Sequence, residues 1–279
     1  MTGQVEEVLL RLARSPHAGD LVLRGGVLTR VWVGEARRET RDLDFLGLFP
    51  RDLDEAARRL ADVLAIDSLT GVLFGLETLR GEVIWRETAF PGLRFSVEAR
   101  RARDVSPPVG APVTGGLTPP ARLQIDIGFG DPLVPPAAWL DYPTASGPAR
   151  LLAARPELLA AWKLDGLFEH GARRWQPKDL FDLHLLTAHC HLDTDTLVEA
   201  IRVAFEAHSD PLTNVRDVVY NPAWWRTDSA RAKWAKYRAA SAVPVPEEVG
   251  EVAAAVARAL RPAVGRLIDL PPEGVTAGR

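Results

Sequence analysis

Two adjacent glycines, Gly25 and Gly26, directly follow a short strand-like segment of residues 20–24. Adjacent glycines at the end of a strand mark a point where the backbone turns tightly or closely approaches another group. The mostly apolar residues 27–33 predict that a helix comes next. The free amide groups at the start of such a helix are suited to binding a phosphate. The pattern therefore predicts a strand, a tight turn and a helix that together form a phosphate site.

Two carboxylates follow at short range, Asp42 and Asp44, each followed by an apolar residue, Leu43 and Phe45. Because side chains alternate across a strand, the two aspartates share one face and the apolar residues share the other. Carboxylates this close repel each other unless a cation separates them, and Mg²⁺ prefers oxygen ligands combined with substrate phosphates. We therefore predict that Asp42 and Asp44 bind Mg²⁺ or Mn²⁺. The alternative is a solvated Asp-x-Asp turn without a function.

A third carboxylate, Asp126, lies in a segment whose pattern predicts a strand, residues 123–129. Its apolar residues alternate with the others, which places Asp126 on a polar face. If this strand lies beside that of Asp42 and Asp44, the three carboxylates converge as two-metal nucleotidyl transfer requires. The alternative is the exposed face of an antiparallel sheet. Glu98 is a second option for the third carboxylate, which we rank lower because the nearby arginines favour a solvent-facing charge cluster: Arg100, Arg101 and Arg103.

The patterning becomes helical from about residue 150, after two segments rich in proline and glycine, 106–120 and 131–148. Both segments are expected to be loops. We place a domain boundary after the second one, which gives domains 1–149 and 150–279. Within the first domain, the sequence Arg80-Gly81-Glu82 predicts a hairpin turn between two strands.

In the helical half, Pro156 is well placed to start a helix that contains Lys163. The lysine lies among apolar residues, so its amine either extends to the edge of an apolar surface or points into a cleft. In the next predicted helix, Asp179 and Asp182 are three residues apart and can face the same way. Asp179 can equally cap that helix.

The overall charge of −3 gives no general signature of a nucleic-acid-binding protein. Residues 224–226 and 231–238 combine cations with aromatic rings, a pattern that suits a phosphate backbone and a stacked base. The competing interpretation is a basic helix whose Trp234 and Tyr237 pack inward. The histidines show no zinc-binding spacing and are expected on helix surfaces.

The single cysteine, Cys190, excludes an internal disulfide and a cysteine-based zinc site, and fits a reducing cytoplasm. The first residues lack the pattern of a signal peptide, and no apolar run approaches the length of a membrane span. We therefore expect no membrane partner and a cytoplasmic location.

In their order along residues 20–186, these motifs resemble the AbiEii/AbiGii nucleotidyltransferase toxins, including the mycobacterial MenT type. The resemblance is carried by Gly25-Gly26, by Arg38-x-Thr40-x-Asp42-x-Asp44, by the strand around Asp126, by Lys163 and by the segment Lys178-Asp179-Leu180-Phe181-Asp182-Leu183. It implies an α+β protein in which a mixed sheet of the polymerase-beta-like nucleotidyltransferase type precedes an all-helical C-terminal domain.

The resemblance also implies roles for individual residues. Lys163 is expected to bind the nucleotide phosphates, and Asp179 to belong to the active site, with Asp182 structural. Thr40 lies where an acceptor hydroxyl or a phosphate ligand is expected. Further phosphate contacts are expected from four residues: Arg38, Arg41, Gly25 and Gly26. Asp126 is expected to bind a second metal ion or to act as the catalytic base.

The implied reaction transfers an NMP from an NTP to the 3′ end of tRNA, which blocks translation. A protein of this kind is the toxin of a type IV toxin–antitoxin pair, with a separately encoded antitoxin. Three alternatives remain: transfer to a small molecule such as an aminoglycoside, transfer to a protein hydroxyl such as that of Thr40, and a non-catalytic partner-binding protein.

Overall fold

The computed structural model describes residues 3–34, 40, 42–88, 90–101, 119–167 and 175–269. The chain divides into two compact units. We call the first the sheet unit; it comprises Met1–Leu28, Thr40–Asp131 and Ala138–Ala153. We call the second the helical unit; it comprises Thr29–Glu39, Pro132–Ala137 and Ala154–Arg279. A mixed sheet with a largely helical C-terminal part confirms the predicted α+β class.

The elements up to the end of the sheet unit are, in chain order, α1 (Gly3–Arg14), β1 (Leu21–Arg24), α2 (Gly25–Leu28), α3 (Arg30–Val33, in the helical unit), β2 (Asp42–Gly47), α4 (Leu53–Leu64), β3 (Val72–Ile84), β4 (Gly92–Arg101), β5 (Ala121–Phe129), β6 (Ala138–Tyr142) and β7 (Ala149–Ala153). The described strands form one seven-stranded sheet in the order β3-β4-β5-β2-β1-β7-β6. The pairs β2–β5 and β1–β7 are parallel, and the other neighbours are antiparallel.

The alternating apolar residues of the central strands form the core of the sheet unit. Phe45 on β2, Phe95 on β4 and Ile125 on β5 are each at most 1% exposed. Helices α1 and α4 pack against each other, and contact β7 and β3 respectively. Asp52 caps α4 by accepting a hydrogen bond from the Glu55 amide, as its position before an amphipathic helix predicts.

The helical unit continues with α5 (Pro156–Gly166), α6 (Pro177–His189), α7 (Thr194–His208), α8 (Thr213–Tyr220), a 3₁₀ helix (Pro222–Arg226), α9 (Asp228–Ala240) and α10 (Val249–Asp269). The last helix contacts α6, α7, α8 and α9, so it is the centre around which this unit packs. Pro156 occupies the first turn of α5, as the sequence predicts, and the Asp193 carboxylate caps α7 by accepting a hydrogen bond from the Thr196 amide. Among the described residues, no helix combines the length and apolar character that crossing a membrane demands.

The predicted hairpin turn at residues 80–82 is wrong, because β3 runs as one strand from Val72 to Ile84, and its pairing with β4 is irregular only between Gly75 and Arg80. Gly81 instead allows a close approach within the strand. A methyl group there would lie 2.5 Å from the Phe95 ring and 2.8 Å from Leu53. Glycine inside a strand often marks such a contact, which local sequence does not distinguish from a turn.

The second proline- and glycine-rich segment is only partly a loop, because it contains β6. The boundary after residue 149 stays a prediction; residues 149 and 150 both lie in β7. The histidines are also not all surface residues. His17 is 8% exposed and bonds Asp20 and Asp62, and His208 pairs with the buried Asp165.

Candidate active site

Asp44 and Asp126 lie directly opposite each other on the neighbouring parallel strands β2 and β5. On the outer sides of this pair, Arg24 of β1 lies opposite Asp44, and Arg94 of β4 lies opposite Asp126. Residues that are opposite each other in a sheet project from the same face. The four side chains Arg94, Asp126, Asp44 and Arg24 therefore form one line across four strands, which we call the charged row. The strand order on which the role of Asp126 depends is thus present.

The charged row is most open toward Asp42. Asp42 is exposed, Asp44 is half-buried and Asp126 is 5% exposed. Asp42 lies opposite Gln124 of β5, in the row next to the charged row. The three carboxylates thus occupy one face of two adjacent strands, with the access from solvent at Asp42. Glu98 lies four residues further along β4 than Arg94, about 13 Å away along an extended strand, so it is not part of the charged row.

Asp126 is held by two neighbouring side chains. Arg94 donates from Nε to Oδ1 at 2.9 Å and from Nη2 to Oδ2 at 2.8 Å, and Gln124 donates to Oδ2 at 3.3 Å. Hydrogen bonding to Asp126 is the largest cause of a raised Arg94 pKa, and the charges of Glu82 and Asp42 act in the same direction against partial burial. The guanidinium is therefore a permanent cation among several carboxylates.

Gly25 lies against the Asp44 carboxylate. Its φ of +73° belongs to the left-handed region, and a Cβ there would lie 2.8 Å from the Asp44 Cβ and Cγ and overlap the carboxylate oxygen. The first glycine is thus required by both its backbone conformation and its distance from Asp44. The single helix predicted over residues 27–33 is instead two four-residue helices, α2 and α3, separated at Thr29. Phosphate binding by Gly25 and Gly26 stays a prediction.

Arg24 reaches past Gly128 to the end of β5. Its Nη1 lies 2.7 Å from Oδ2 of Asp131, whose side chain is 7% exposed. This ion pair links β1 to the residues that follow β5. Thr40 lies just before β2, and its hydroxyl is 3.4 Å from the Asp42 carbonyl. Arg38 and Arg41 fall outside the described residues, so their phosphate contacts stay predictions.

In the helical unit, Lys163 of α5 lies between two carboxylates of α6. Its Nζ is 2.6 Å from Oδ1 of Asp179 and 3.0 Å from Oδ2 of Asp182. The side chains of Lys163 and Asp179 are each 12% exposed, and that of Asp182 is 0% exposed. Lys163 therefore belongs to an ion cluster and does not extend across an apolar surface. Asp179 is not the cap of α6, because Gln176 occupies that position.

Three aromatic residues of segments 224–226 and 231–238, namely Trp225, Trp234 and Tyr237, pack inward. Trp225 and Trp234 are 2% and 1% exposed, and the Trp234 indole donates to the Pro246 carbonyl at 2.9 Å. The Tyr237 ring lies 6.0 Å from that of Phe181. Trp225 and Trp234 are thus not placed to stack on a base, and the inward-packing interpretation is correct for Trp234 and Tyr237.

The carboxylates on this face of β2 and β5 are of the type that suits a hard divalent ion. Asp42 and Asp44 offer oxygen ligands on one face, and Gly25 leaves space beside Asp44 that a side chain would fill. Both oxygens of Asp126 are bonded to Arg94. Within the described residues, no three His, Cys, Asp or Glu side chains are grouped as a ready-made metal site. Asp42 and Asp44 therefore offer ligands of the type that Mg²⁺ prefers, whereas both oxygens of Asp126 are held by Arg94, and metal binding by the three carboxylates stays a prediction.

Arg94 and Arg24 are the members of the charged row that sequence reasoning missed. The alternation along β4 places Arg94, Ser96 and Glu98 on one face, which is a signal for a polar surface. It does not say which strand lies beside β4, or in which register. Pairing between distant segments decides that Arg94 meets Asp126.

Comparisons with known proteins concern the family and the fold of the chain. The sequence profile of the nucleotidyl transferase AbiEii toxin family, type IV toxin–antitoxin system, matches residues 7–261. No curated protein matched the sequence. The fold is similar to the crystal structure of JHP933 from Helicobacter pylori, with a TM-score of 0.55 and 17% identity over 95% of this chain and 91% of that one. It is also similar to a presumed nucleotidyltransferase from H. pylori, with a TM-score of 0.51 and 15% identity over 96% and 95% of the two chains.

At these identities the two crystal structures support the fold alone, whereas the family profile covers most of the chain. The members of that family are nucleotidyltransferase toxins, and each has a separate antitoxin as its partner. The chain therefore belongs to the AbiEii nucleotidyltransferase toxin family of type IV toxin–antitoxin systems.

Proposed function

We propose that the protein transfers an NMP from an NTP to the 3′ end of tRNA and so blocks translation. The observation that carries the proposal is the pairing of Asp44 with Asp126 on neighbouring strands, with Asp42 on the same face. Such a group of carboxylates on one sheet face suits nucleotidyl transfer. The family supplies the reaction class. The tRNA acceptor is our inference from the sequence resemblance.

In this proposal, Asp42 and Asp44 hold Mg²⁺ or Mn²⁺, with Asp126 as a further ligand or as the base toward the acceptor. The ion would supply positive charge to the triphosphate oxygens. The acceptor hydroxyl oxygen forms a bond to the α-phosphorus, and the bond to the bridging oxygen breaks, so pyrophosphate leaves. The hydroxyl proton passes to Asp126 when that carboxylate acts as the base, and to solvent water when Asp126 is a metal ligand.

The remaining residues are assigned to the phosphates. Gly25, Gly26 and Thr40 would contact them near the charged row, together with two arginines outside the described residues, Arg38 and Arg41. Lys163 would offset the charge that develops on the leaving pyrophosphate. Asp179 and Asp182 bond its amine and would fix its position.

We propose that the partners are tRNA and a separately encoded antitoxin protein, and that the protein acts in the cytoplasm, where both are found. A net charge of −3 means that tRNA must be held by local cations. Exposed cations of α9, such as Lys236, are suited to phosphate contacts; the buried tryptophans of that region are not suited to stacking.

The test is incubation of the full-length protein with Mg²⁺, total tRNA and each common labelled NTP in turn, followed by denaturing electrophoresis. Labelled tRNA is expected with the native chain. The Asp44→Asn variant should label tRNA at least about a hundredfold more slowly, as expected when charge stabilisation at the reacting phosphate is lost. Asp54→Asn is the matched control, because Asp54 belongs to an exposed Asp-x-Asp on α4.

Label on the protein itself would contradict the tRNA acceptor and indicate transfer to a protein hydroxyl. Label on an added aminoglycoside, with none on tRNA, would indicate a small-molecule acceptor. Equal rates for the native chain and Asp44→Asn would remove the charged row from the mechanism.

A further inference from the structure

Arg94 is placed against Asp126 by the register of two antiparallel strands. β4 pairs with β5 so that these two residues are directly opposite. The guanidinium donates to both carboxylate oxygens, at 2.9 and 2.8 Å, in the two-point geometry that makes such pairs strong. The contact is therefore a defined ion pair within the charged row.

The pair has an electrostatic reason. Asp126 and Asp44 lie opposite each other on adjacent strands, and neighbouring strands of a sheet are about 4.8 Å apart. The Asp126 side chain is only 7% exposed. A buried carboxylate beside another carboxylate requires a counter-ion. In the protein without metal, Arg94 supplies that charge.

The same contact restricts Asp126 as a metal ligand. A metal ion would need an Asp126 oxygen, and both oxygens already accept hydrogen bonds from a cation. A metal ion bound to Asp126 would lie close to the Arg94 guanidinium, and the two positive charges would repel each other. Coordination by Asp126 is thus favoured when the Arg94 guanidinium moves away.

The Arg94 side chain has room to move away from Asp126. Its side chain is 36% exposed, in contrast to that of Asp126, so it can move without unpacking the core. A guanidinium also matches the oxygens of a phosphate in the same two-point way as a carboxylate. A triphosphate that enters at the open, Asp42 side of the charged row would offer Arg94 such oxygens.

We propose that Arg94 is a positioning residue. It bonds Asp126 in the nucleotide-free protein, and when the nucleotide binds it leaves Asp126 and bonds the triphosphate oxygens instead. Asp126 then becomes a metal ligand only in the presence of nucleotide. This inference rests on the proposed nucleotidyl transfer. It makes metal binding at Asp126 depend on the substrate, so the protein binds metal weakly by itself.

The test is Mn²⁺ binding to the nucleotide-free, full-length protein, measured by the paramagnetic resonance signal of free Mn²⁺. Arg94→Gln should bind Mn²⁺ about tenfold more tightly than the native chain, because the ion no longer displaces a charged hydrogen-bond pair. Adding Asp126→Asn to that variant should remove the gain. Once the Mn²⁺ bound by the analogue itself is subtracted with a protein-free sample, a non-hydrolysable NTP analogue should narrow the difference in Mn²⁺ affinity between the native chain and Arg94→Gln.

Arg100→Gln is the matched control, since Arg100 is an exposed arginine of the same strand, six residues and about 20 Å further along. It removes the same charge and should leave the Mn²⁺ affinity within about twofold of the native value, as distant charges are screened. Arg94→Lys provides a second variant if Arg94→Gln does not fold. It keeps the charge, loses the two-point contact and should show a smaller gain in the same direction.

Equal Mn²⁺ affinities for the native chain and the Arg94 variants would overturn the role of Arg94. If the native chain still labelled tRNA in that case, the proposed function would stand without it. If no variant bound Mn²⁺ even with the nucleotide analogue, both the role of Arg94 and the metal centre of the proposed function would be wrong.

Discussion

At the scale of single residues, the site depends on a close contact between the backbone of one residue and the carboxylate of another. Gly25 is the clearest case, since its backbone has a φ of +73° and occupies the space beside the Asp44 carboxylate. Any side chain at this position must move Asp44 or the strand that carries it. The conformation of one glycine thus helps to fix the position of a proposed metal ligand.

We predict that Gly25→Ala lowers nucleotidyl transfer about a hundredfold, because displacement of a reacting group by about 1 Å has that effect. It should also lower the free energy of unfolding by about 1–2 kcal/mol for the left-handed backbone, with a further cost for the overlap with Asp44. Gly71→Ala is the matched control, because Gly71 has a φ of +76° and nothing within 4 Å of its added Cβ. Urea unfolding and the labelling assay check both variants. Equal losses of activity in the two would contradict the role of the Asp44 contact.

Much of the site could be predicted at this scale, because strand alternation alone places Asp42 with Asp44, and Asp126 on the polar side of its strand. Arg94 could not be predicted. Its contact depends on the register between β4 and β5, which tertiary packing sets and local sequence does not encode. The ion pair of Lys163 with Asp182 was missed for the same reason, since it joins two helices.

At the scale of elements, α5 and α6 are joined by a buried ion cluster. Lys163 is the shared partner of Asp179 and Asp182, and the three side chains are at most 12% exposed. Loss of the cation leaves two carboxylates in a dry environment, which is far more costly than replacing the whole cluster by apolar side chains.

We expect Lys163→Met to lower the free energy of unfolding by about 3–5 kcal/mol, the usual result of leaving a buried charge unpaired. The combined variant Lys163→Met, Asp179→Asn and Asp182→Leu should recover a large part of that loss. Urea unfolding monitored by circular dichroism measures both. A combined variant as unstable as Lys163→Met would show that packing of the lysine chain, and not charge, stabilises this contact.

The cap of α4 gives a second element-scale prediction. Asp52→Ala should cost about 1 kcal/mol of stability, because the Glu55 amide loses its acceptor. Asp54→Ala should cost less, since Asp54 is exposed in the first turn of that helix. Neither change should affect nucleotidyl transfer. A strong loss of activity in Asp52→Ala would mean that Asp52 has a role we did not assign.

The errors in element prediction also have physical causes. Caps and helix starts at Asp52, Pro156 and Asp193 were predictable because capping is a local interaction. Gly81 was misread because a glycine that admits a neighbouring ring has the same local sequence signal as one in a turn. Strand β6 was missed because its proline- and glycine-rich surroundings indicate a loop. It is a strand because it pairs with β7, and local sequence does not show that pairing.

At the scale of the whole molecule, the two units are interwoven along the chain. The chain passes from one unit to the other after Leu28, Glu39, Asp131, Ala137 and Ala153. No single cut therefore separates the sequences of the two units. Because unfolding of one unit would disturb segments that return to the other, we predict a single unfolding transition, whereas two independent units would give two transitions.

Cys190 provides a reporter for that transition. Burial, with a smaller effect of the Glu157 charge, raises the pKa of its thiol from 9.0 to about 11. At pH 8 the thiolate fraction is then lower in the folded protein than in the unfolded chain, so alkylation should be slower in the folded protein. Because the folded state holds the proton more tightly, this group makes the free energy of unfolding fall as the pH rises from 9 to 11.

Iodoacetamide labelling of Cys190 across a urea series should give the same midpoint as circular dichroism of the whole chain. Cys190 belongs to the helical unit, whereas circular dichroism also reports on the sheet unit. Labelling that rises at lower urea than the circular dichroism change would contradict cooperative unfolding of the two units.

The parallel pairing of β2 with β5 has a consequence for the time at which the protein becomes harmful. Asp44 and Asp126 come from distant parts of the sequence, and the strands β3 and β4 are synthesised between them. Contacts of this kind form late, after the intervening chain is available to fold. During synthesis, Asp44 and Asp126 therefore cannot come together until β5 has left the ribosome. The cell that makes the protein is exposed to its chemistry only when most of the sheet is complete.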